Sequence, residues 1–209
     1  MLKSAIVILC AAGLTLWEPQ NAERRAANDE RRAGADWPFY GGDQAGTKFS
    51  PLADVNTTNV AKLAVAWEWI NGEKALEGFG TRPGSFQATP LMIDNVLYLS
   101  TPYNRVVALN AETGAELWAF DPKAYEDGQP PNGTGFVHRG VAAWRDSANG
   151  NALRIFINSR YRLFAIDAKT GRPVESFGSH GAIDLSEGLV WAINKKHYTT
   201  PHRRSSTRI

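Results

Sequence analysis

Residues 108–118 read Ala-Leu-Asn-Ala-Glu-Thr-Gly-Ala-Glu-Leu-Trp, and residues 165–175 read Ala-Ile-Asp-Ala-Lys-Thr-Gly-Arg-Pro-Val-Glu. The second stretch repeats the first at a spacing of 57 residues. Each copy predicts a strand, a tight turn at Thr-Gly, where glycine tolerates a positive φ, and the start of another strand. An internal repeat of this kind indicates an array of similar units, each of which buries its apolar face mainly against its neighbours.

Short strand candidates surround both copies of the repeat. Their predicted bounds are residues 88–93, 96–100, 105–110 and 116–120 around the first copy, and 141–144, 154–158, 162–167 and 173–177 around the second. Four short antiparallel strands joined by tight turns make one blade of a β-propeller. The sequence therefore predicts an all-β fold, an incomplete β-propeller in which two four-stranded antiparallel sheets pack face to face.

One further strand is predicted over residues 60–69, because β-branched and aromatic residues are frequent there. In that strand Leu63, Val65, Trp67 and Trp69 would alternate onto one face. Residues 121–135 are rich in Pro and Gly and predict a surface loop.

The composition is typical of an ordinary globular chain, with 43% hydrophobic and 21% charged residues among 209. The formal charge of +2 depends on the C-terminus, since without Arg203, Arg204 and Arg208 it would be −1. A body so close to neutral argues against nucleic-acid binding, which requires a basic face on the fold itself.

The N-terminus predicts export. Lys3 precedes an apolar run over residues 5–16, which is typical of a signal peptide and short for a membrane span. We expect a signal peptide over residues 1–22, a linker over 23–35, and a periplasmic or cell-envelope location. Two alternatives stay open: an uncleaved signal that holds the chain at the membrane, and lipidation of Cys10, although Leu9 stands where a lipobox has a small residue.

Six motifs occur in an order that resembles the N-terminal part of the PQQ-dependent (quinoprotein) dehydrogenases. They are Asp-Trp-Pro-Phe-Tyr-Gly at 36–41, Phe-Ser-Pro-Leu at 49–52, Asn-Val-Ala-Lys-Leu-Ala-Val-Ala-Trp at 59–67, Gln-Ala-Thr-Pro-Leu at 87–91, Ala-Leu-Asn-Ala-Glu-Thr-Gly at 108–114 and His-Arg-Gly-Val at 138–141. The glucose dehydrogenase-like branch is the more similar one, because the alcohol dehydrogenases have a Cys-Cys pair just before the position of His138 and this chain has none.

The resemblance implies a propeller of about eight blades, with PQQ on its axis over Ca²⁺ or Mg²⁺. It implies cofactor-binding roles for three residues: Gln87, whose amide can donate and accept, Arg139, whose guanidinium fork suits a planar tricarboxylate, and the neighbouring His138. The alternatives are a solvated Gln87, a solvated Arg139 and an ordinary packing role for His138. The family's metal ligands and catalytic base lie in later blades, so the sequence predicts no catalytic and no metal-binding residue here.

The C-terminus departs from the family. Residues 187–199 still resemble it, but residues 200–209 have no strand pattern where the family begins its next blade. We interpret residues 36–199 as a partial propeller and residues 200–209 as an aberrant tail produced by a frameshift or a misassigned gene end. An intact stop codon with no propeller-coding DNA beyond it would exclude this interpretation.

Two functions follow as expectations. The first is an N-terminal fragment of an exported PQQ-dependent dehydrogenase that oxidises a sugar or alcohol and passes electrons to a quinone or cytochrome. Such a fragment should bind no PQQ by itself, and it should be inactive when PQQ and Ca²⁺ are added. The alternative is a non-catalytic propeller of PQQ-like repeats that acts as a scaffold in the cell envelope.

Overall fold

The computed structural model describes residues 36–191 and 193–198, which contain eight strands, five short 3₁₀-helices and no α-helix. The strands are β1 (Leu91–Ile93), β2 (Val96–Ser100), β3 (Val106–Asn110), β4 (Glu116–Phe120), β5 (Ala142–Asp146), β6 (Ala152–Ser159), β7 (Arg162–Asp167) and β8 (Ala182–Asp184). The 3₁₀-helices span Val60–Lys62, Glu77–Phe79, Ala124–Asp127, Ser147–Asn149 and Lys195–His197.

Three predicted segments, the signal peptide (1–22), the linker (23–35) and the tail (200–209), lie outside the described residues. Among the residues that are described, no helix has the length and apolar character needed to cross a membrane.

The strands form two antiparallel meanders in chain order. Sheet one is β1-β2-β3-β4 and sheet two is β5-β6-β7-β8, which confirms the predicted pair of four-stranded sheets. The turn between β1 and β2 shows why the chain reverses there: Asp94 and Asn95 have φ values of +53° and +63°. Asp and Asn tolerate this left-handed conformation, and a turn with two positive φ values matches the twist of a hairpin.

The main core lies between the two sheets. Sheet one contributes Tyr98, Val106 and Ala108, and sheet two contributes a matching set of aliphatic and aromatic side chains. The members from sheet two and the segments around it are Val141, Ala143, Ile155, Ile157, Phe164, Ile166 and Ala168. The rings of Phe120 and Phe164 meet across this interface with centroids 5.3 Å apart. The sheets therefore pack face to face, as the sequence predicts.

The Thr-Gly turn of each sheet is contacted by a tryptophan that lies before that sheet in the chain. Trp118, in β4, donates from Nε1 to the carbonyl of Ala168 at 2.9 Å, and its ring lies over Gly171 in the turn after β7. Trp67 makes the same pair of contacts one repeat earlier, with the carbonyl of Ala111 at 3.2 Å and with Gly114. Both glycines have a positive φ, and a Cβ at either position would come within 2.7 Å of the indole. Backbone conformation and ring contact therefore both require glycine.

The prediction of a strand over residues 173–177 is wrong. Residues 172–174 begin to pair with β7, since Val174 donates to the carbonyl of Ala165 at 2.8 Å. Residues 175–180 then loop out, and Ala182–Asp184 resumes pairing with β7 as β8. The position that Trp118 holds in the first repeat belongs to Glu175 in the second, so the indole contacts that Trp118 makes from β4 have no counterpart there.

The prediction of a strand over residues 60–69 is also wrong. Asn56 and Asn59 form a capped turn, in which the Asn56 N–H donates to Asn59 Oδ1 at 2.8 Å, and Val60–Lys62 becomes a 3₁₀-helix. Residues 63–69 have no partner strand among the described residues. Trp67 and Trp69 nevertheless cover the outer face of sheet one, against Leu99, Val107 and Leu109.

The outer face of sheet two is only partly covered. Phe177 packs against Phe156 with centroids 5.5 Å apart, but Trp144 and Ile183 remain 46% and 38% exposed. Exposed aromatic and aliphatic side chains on a sheet face are typical of a contact surface.

Candidate functional site

The segments that carry the predicted site residues lie at the same end of both sheets. Since neighbouring strands are antiparallel, the turns after β2 and β6 lie at the end where β1 and β5 begin. We call this the entry end and define it by residues 83–90, 101–105, 136–141 and 160–161. The Thr-Gly turns lie at the opposite end.

Two extended segments of the entry end are hydrogen-bonded to each other. The N–H of Gly84 donates to the carbonyl of Phe136 at 2.9 Å, and the N–H of Thr89 donates to the carbonyl of Arg139 at 3.1 Å. These contacts join the segment that leads into β1 with the segment that leads into β5. The structure therefore brings together the two segments that carry Gln87 and Arg139, which lie far apart in the sequence.

Gln87 and Arg139 are both exposed. Within residues 36–191 and 193–198, neither side chain has a hydrogen-bond or ion-pair partner. An amide and a guanidinium fork on paired segments can together bind a flat molecule with carboxylate and carbonyl oxygens. The chemistry of these two groups fits the oxygen atoms of PQQ, and a role for either residue in binding it stays a prediction.

His138 is in a different environment, with only 2% of its surface exposed. Its Nδ1 lies 2.8 Å from Ser100 Oγ at the end of β2, and its Nε2 lies 3.0 Å from the carbonyl oxygen of Asn158 in β6. The Gly140 N–H also donates to Nδ1, at 3.3 Å. The ring thus bridges the two sheets below the surface of the entry end, and its role as a cofactor ligand stays a prediction.

The hydrogen bonds determine the protonation state of His138. A carbonyl oxygen only accepts, so Nε2 carries the proton that bonds Asn158. Burial lowers the pKa of the imidazole to about 4, and the ring is therefore neutral near pH 7 with Nδ1 as the acceptor. Ser100 and Gly140 donate to that nitrogen.

Sequence reasoning missed Arg160, which stabilises the loop over residues 121–135. Arg160 is 5% exposed and has a positive φ in the turn between β6 and β7. Its guanidinium donates to the carbonyls of Ala124 (3.1 Å) and Gly128 and lies 5.0 Å from the centre of the Phe136 ring. Burial lowers the pKa of this group. A single arginine in a turn gives no sequence signal of these contacts.

We expect Arg160→Met to loosen this loop. Methionine keeps the aliphatic stem but leaves the carbonyls of buried Ala124 and half-buried Gly128 without this donor, which should cost about 2 kcal/mol in unfolding free energy. Limited proteolysis should cut within residues 121–135 faster than in the parent. Lys169→Met, at an exposed turn of the opposite end, is the matched control, and equal cleavage in both variants would contradict the role of Arg160.

Glu73 is a second residue that the sequence does not reveal. Its carboxylate accepts from the Thr101 hydroxyl and, at 3.0 Å, from the N–H of Tyr103, and so it holds the turn after β2. Burial is the main cause that raises the pKa of this carboxyl.

No group of three or more His, Cys, Asp or Glu side chains is arranged to hold a metal ion in the part of the chain that the structure describes.

Comparison with known proteins identifies the family. Residues 37–205 match the family model described as PQQ glucose/ethanol/alcohol dehydrogenase, β-propeller domain. The quinohemoprotein alcohol dehydrogenase ADH IIB of Pseudomonas putida is 32% identical over 176 residues, which cover 84% of this chain and 23% of that protein. The quinoprotein glucose dehydrogenase A of Acinetobacter calcoaceticus is 30% identical over 173 residues, covering 77% of this chain and 22% of that protein.

Solved structures agree with the sequence comparison. The quinohemoprotein alcohol dehydrogenase of Comamonas testosteroni superposes with a TM-score of 0.53 and 28% identity, over 77% of this chain and 21% of that chain. The chain thus spans about a quarter of the length of the relatives it matches.

Relatives of the glucose and alcohol types occur at similar identity, so the choice of the glucose dehydrogenase-like branch stays a prediction. With its two blade-like sheets, its repeated tryptophan contacts and this match over most of its length, the chain belongs to the PQQ-dependent glucose/ethanol/alcohol dehydrogenase β-propeller family.

Proposed function

We propose that the chain supplies the first two blades of an exported PQQ-dependent dehydrogenase that oxidises a sugar or an alcohol. The observation that carries the proposal is the pairing of the Gln87 and Arg139 segments at the entry end, where both side chains are exposed and have no partner among the described residues. A scaffold built from the same repeats would not need a free guanidinium and a free amide at this place.

Arg139 would bind the cofactor through a charge-assisted, two-pronged contact with a carboxylate or quinone oxygen. Gln87 would add one donor and one acceptor beside it. When bound, PQQ takes up the two electrons that leave the oxidised substrate. The metal ligands and the proton-accepting base would come from other parts of the protein, as expected from the share of its relatives that this chain spans.

The electron acceptor and the location are part of the proposal. The names of similar proteins mention a cytochrome c in one case and a quinone in others, which supports one of these two acceptor classes. The signal-like residues 1–22 support export, and recovery of the full-length, uncleaved chain from the cytoplasm alone would exclude it.

A PQQ titration tests the site. Residues 36–198 would be joined to the remaining blades of the Acinetobacter glucose dehydrogenase, so that a closed propeller can form. Arg139→Ala in this protein should weaken PQQ binding roughly tenfold to a hundredfold, because a charge-assisted hydrogen bond contributes about 1.5–3 kcal/mol. Arg139→Lys keeps the charge, loses the fork and should recover only part of the affinity.

Arg172→Ala is the matched control, since Arg172 is exposed at the opposite end. It should leave PQQ binding unchanged. If Arg139→Ala binds PQQ as tightly as its parent, Arg139 is a solvated residue and the assignment of the site fails. If the closed propeller with the native sequence binds no PQQ at all, the scaffold function becomes the better explanation.

A further inference from the structure

We propose that His138 is a positioning residue, which orients the peptide group between Arg139 and Gly140 from inside the protein and does not contact the cofactor. This peptide group is held on both sides. Its carbonyl accepts from the N–H of Thr89 at 3.1 Å, and its N–H donates to His138 Nδ1 at 3.3 Å. A planar peptide group with both polar ends bonded has a fixed orientation.

The position of this group matters because the group is bonded to the Cα that carries the Arg139 side chain. A peptide group held at both of its polar ends limits how far that Cα can move or tilt, and a long side chain magnifies any tilt of the Cα in the direction of its guanidinium. Binding of a flat anion by a guanidinium fork depends on that direction. The purpose assigned here to Arg139 rests on the proposed function, whereas the positioning of its backbone does not.

The ring of His138 is itself held firmly. Ser100, at the end of β2, is fully buried and bonds Nδ1, while the carbonyl of Asn158 in β6 bonds Nε2. Both strands are central in their sheets. The rigid interface between the sheets thus determines where the imidazole lies, and the imidazole in turn determines the peptide group at the surface.

Two conservative variants separate positioning from packing. In His138→Asn the short amide can replace the acceptor at Nδ1, and the contact with Asn158 is lost. In His138→Gln the longer amide can replace the donor at Nε2, and the acceptor for Gly140 is lost. Both variants remove one contact of a buried ring, so both should lower global stability. Only His138→Gln should release the Gly140 N–H.

Amide hydrogen exchange of the ¹⁵N-labelled 209-residue chain measures this directly. The readout is the exchange rate of the Thr89 and Gly140 amides divided by that of the β3 amides, which corrects for changes in global stability. We expect this ratio to rise roughly tenfold in His138→Gln and to stay within about threefold of the parent in His138→Asn. Ser159→Ala is the control, because it removes another polar contact between the sheets, the 3.3 Å bond from Ser159 Oγ to Asn104 Oδ1, and it should leave the ratio unchanged.

Three results would overturn the proposal: a ratio that is unchanged in His138→Gln, a ratio that rises equally in the Asn and Gln variants, or an equal rise in Ser159→Ala. ¹⁵N spectra of the imidazole should also show the neutral form with its proton on Nε2, and a proton on Nδ1 would contradict the arrangement. PQQ takes no part in these measurements. A chain that shows the expected exchange but whose closed propeller binds no PQQ would therefore refute the proposed function and leave the positioning role intact.

Discussion

Gly171→Ala should lower the free energy of unfolding by about 2–4 kcal/mol. A non-glycine residue with positive φ costs about 1 kcal/mol or more, and the new Cβ would lie 2.7 Å from the ring of Trp118. Relief of that contact requires the indole or the turn to move inside a packed interface, which typically costs a further 1–3 kcal/mol. Denaturant unfolding monitored by tryptophan fluorescence measures the change.

Gly150→Ala separates the two contributions. Gly150 also has a positive φ, +64°, in a turn between strands, but nothing lies within 4 Å of the point that a Cβ would occupy there. The free energy of unfolding of Gly150→Ala should therefore fall only by the conformational contribution, about 1 kcal/mol. Equal losses in the two variants would show that the indole adjusts without cost, and the tryptophan contact would then contribute little to the packing of the sheets.

Acidification should destabilise the chain through His138. Its pKa is about 4 in the folded protein and about 6.5 in an unfolded chain. Between these pH values the unfolded state binds more protons than the folded state, so stability rises with pH. The stability that depends on neutral His138 is fully present above about pH 6.5 and is lost as the pH falls to 4. The loss in the free energy of unfolding amounts to about 3 kcal/mol at 1.36 kcal/mol per pKa unit.

His138→Gln cannot titrate and provides the comparison. Urea unfolding at pH 7 and at pH 4 should show a loss in the parent that exceeds the loss in the variant by about 3 kcal/mol. Acidic groups with lowered pKa values, such as Asp184, at about 2, contribute equally to both proteins. The same loss in parent and variant would mean that the buried ring accepts a proton without disturbing its bonds to Ser100 and Asn158.

Local patterns predict most of the two sheets. The predicted and observed bounds of Glu116–Phe120 are the same, and the Asp94–Asn95 turn follows from residues that tolerate positive φ. These features depend on neighbours in the sequence. The fourth strand of sheet two does not: residues 172–174 and Ala182–Asp184 both pair with β7, and no local pattern indicates the loop that separates them. Residues 63–69 similarly have strand propensity, but among the described residues they pair with no strand and pack on the outer face of sheet one through Trp67 and Trp69.

The site is less accessible to sequence reasoning. Resemblance alone identifies Gln87 and Arg139, and the pairing of their segments through Thr89 is a tertiary contact that no spacing indicates. The sequence places His138 beside Arg139 but does not show that its ring points into the interface between the sheets. Arg160 and Glu73 bond groups 28 to 36 residues away, so their roles depend on how the loops fold back.

Each of the two tryptophans contacts a turn that lies after it in the chain. Trp118 belongs to sheet one but stabilises the turn of sheet two, and Trp67 precedes sheet one but stabilises its turn. A segment that keeps its tryptophan contact when it is moved to another protein therefore does not begin at the first strand of a sheet. A graft or circular permutation that cuts just before β1 would separate sheet one from the indole over Gly114, whereas a cut before Trp67 would carry the complete contact into the new protein.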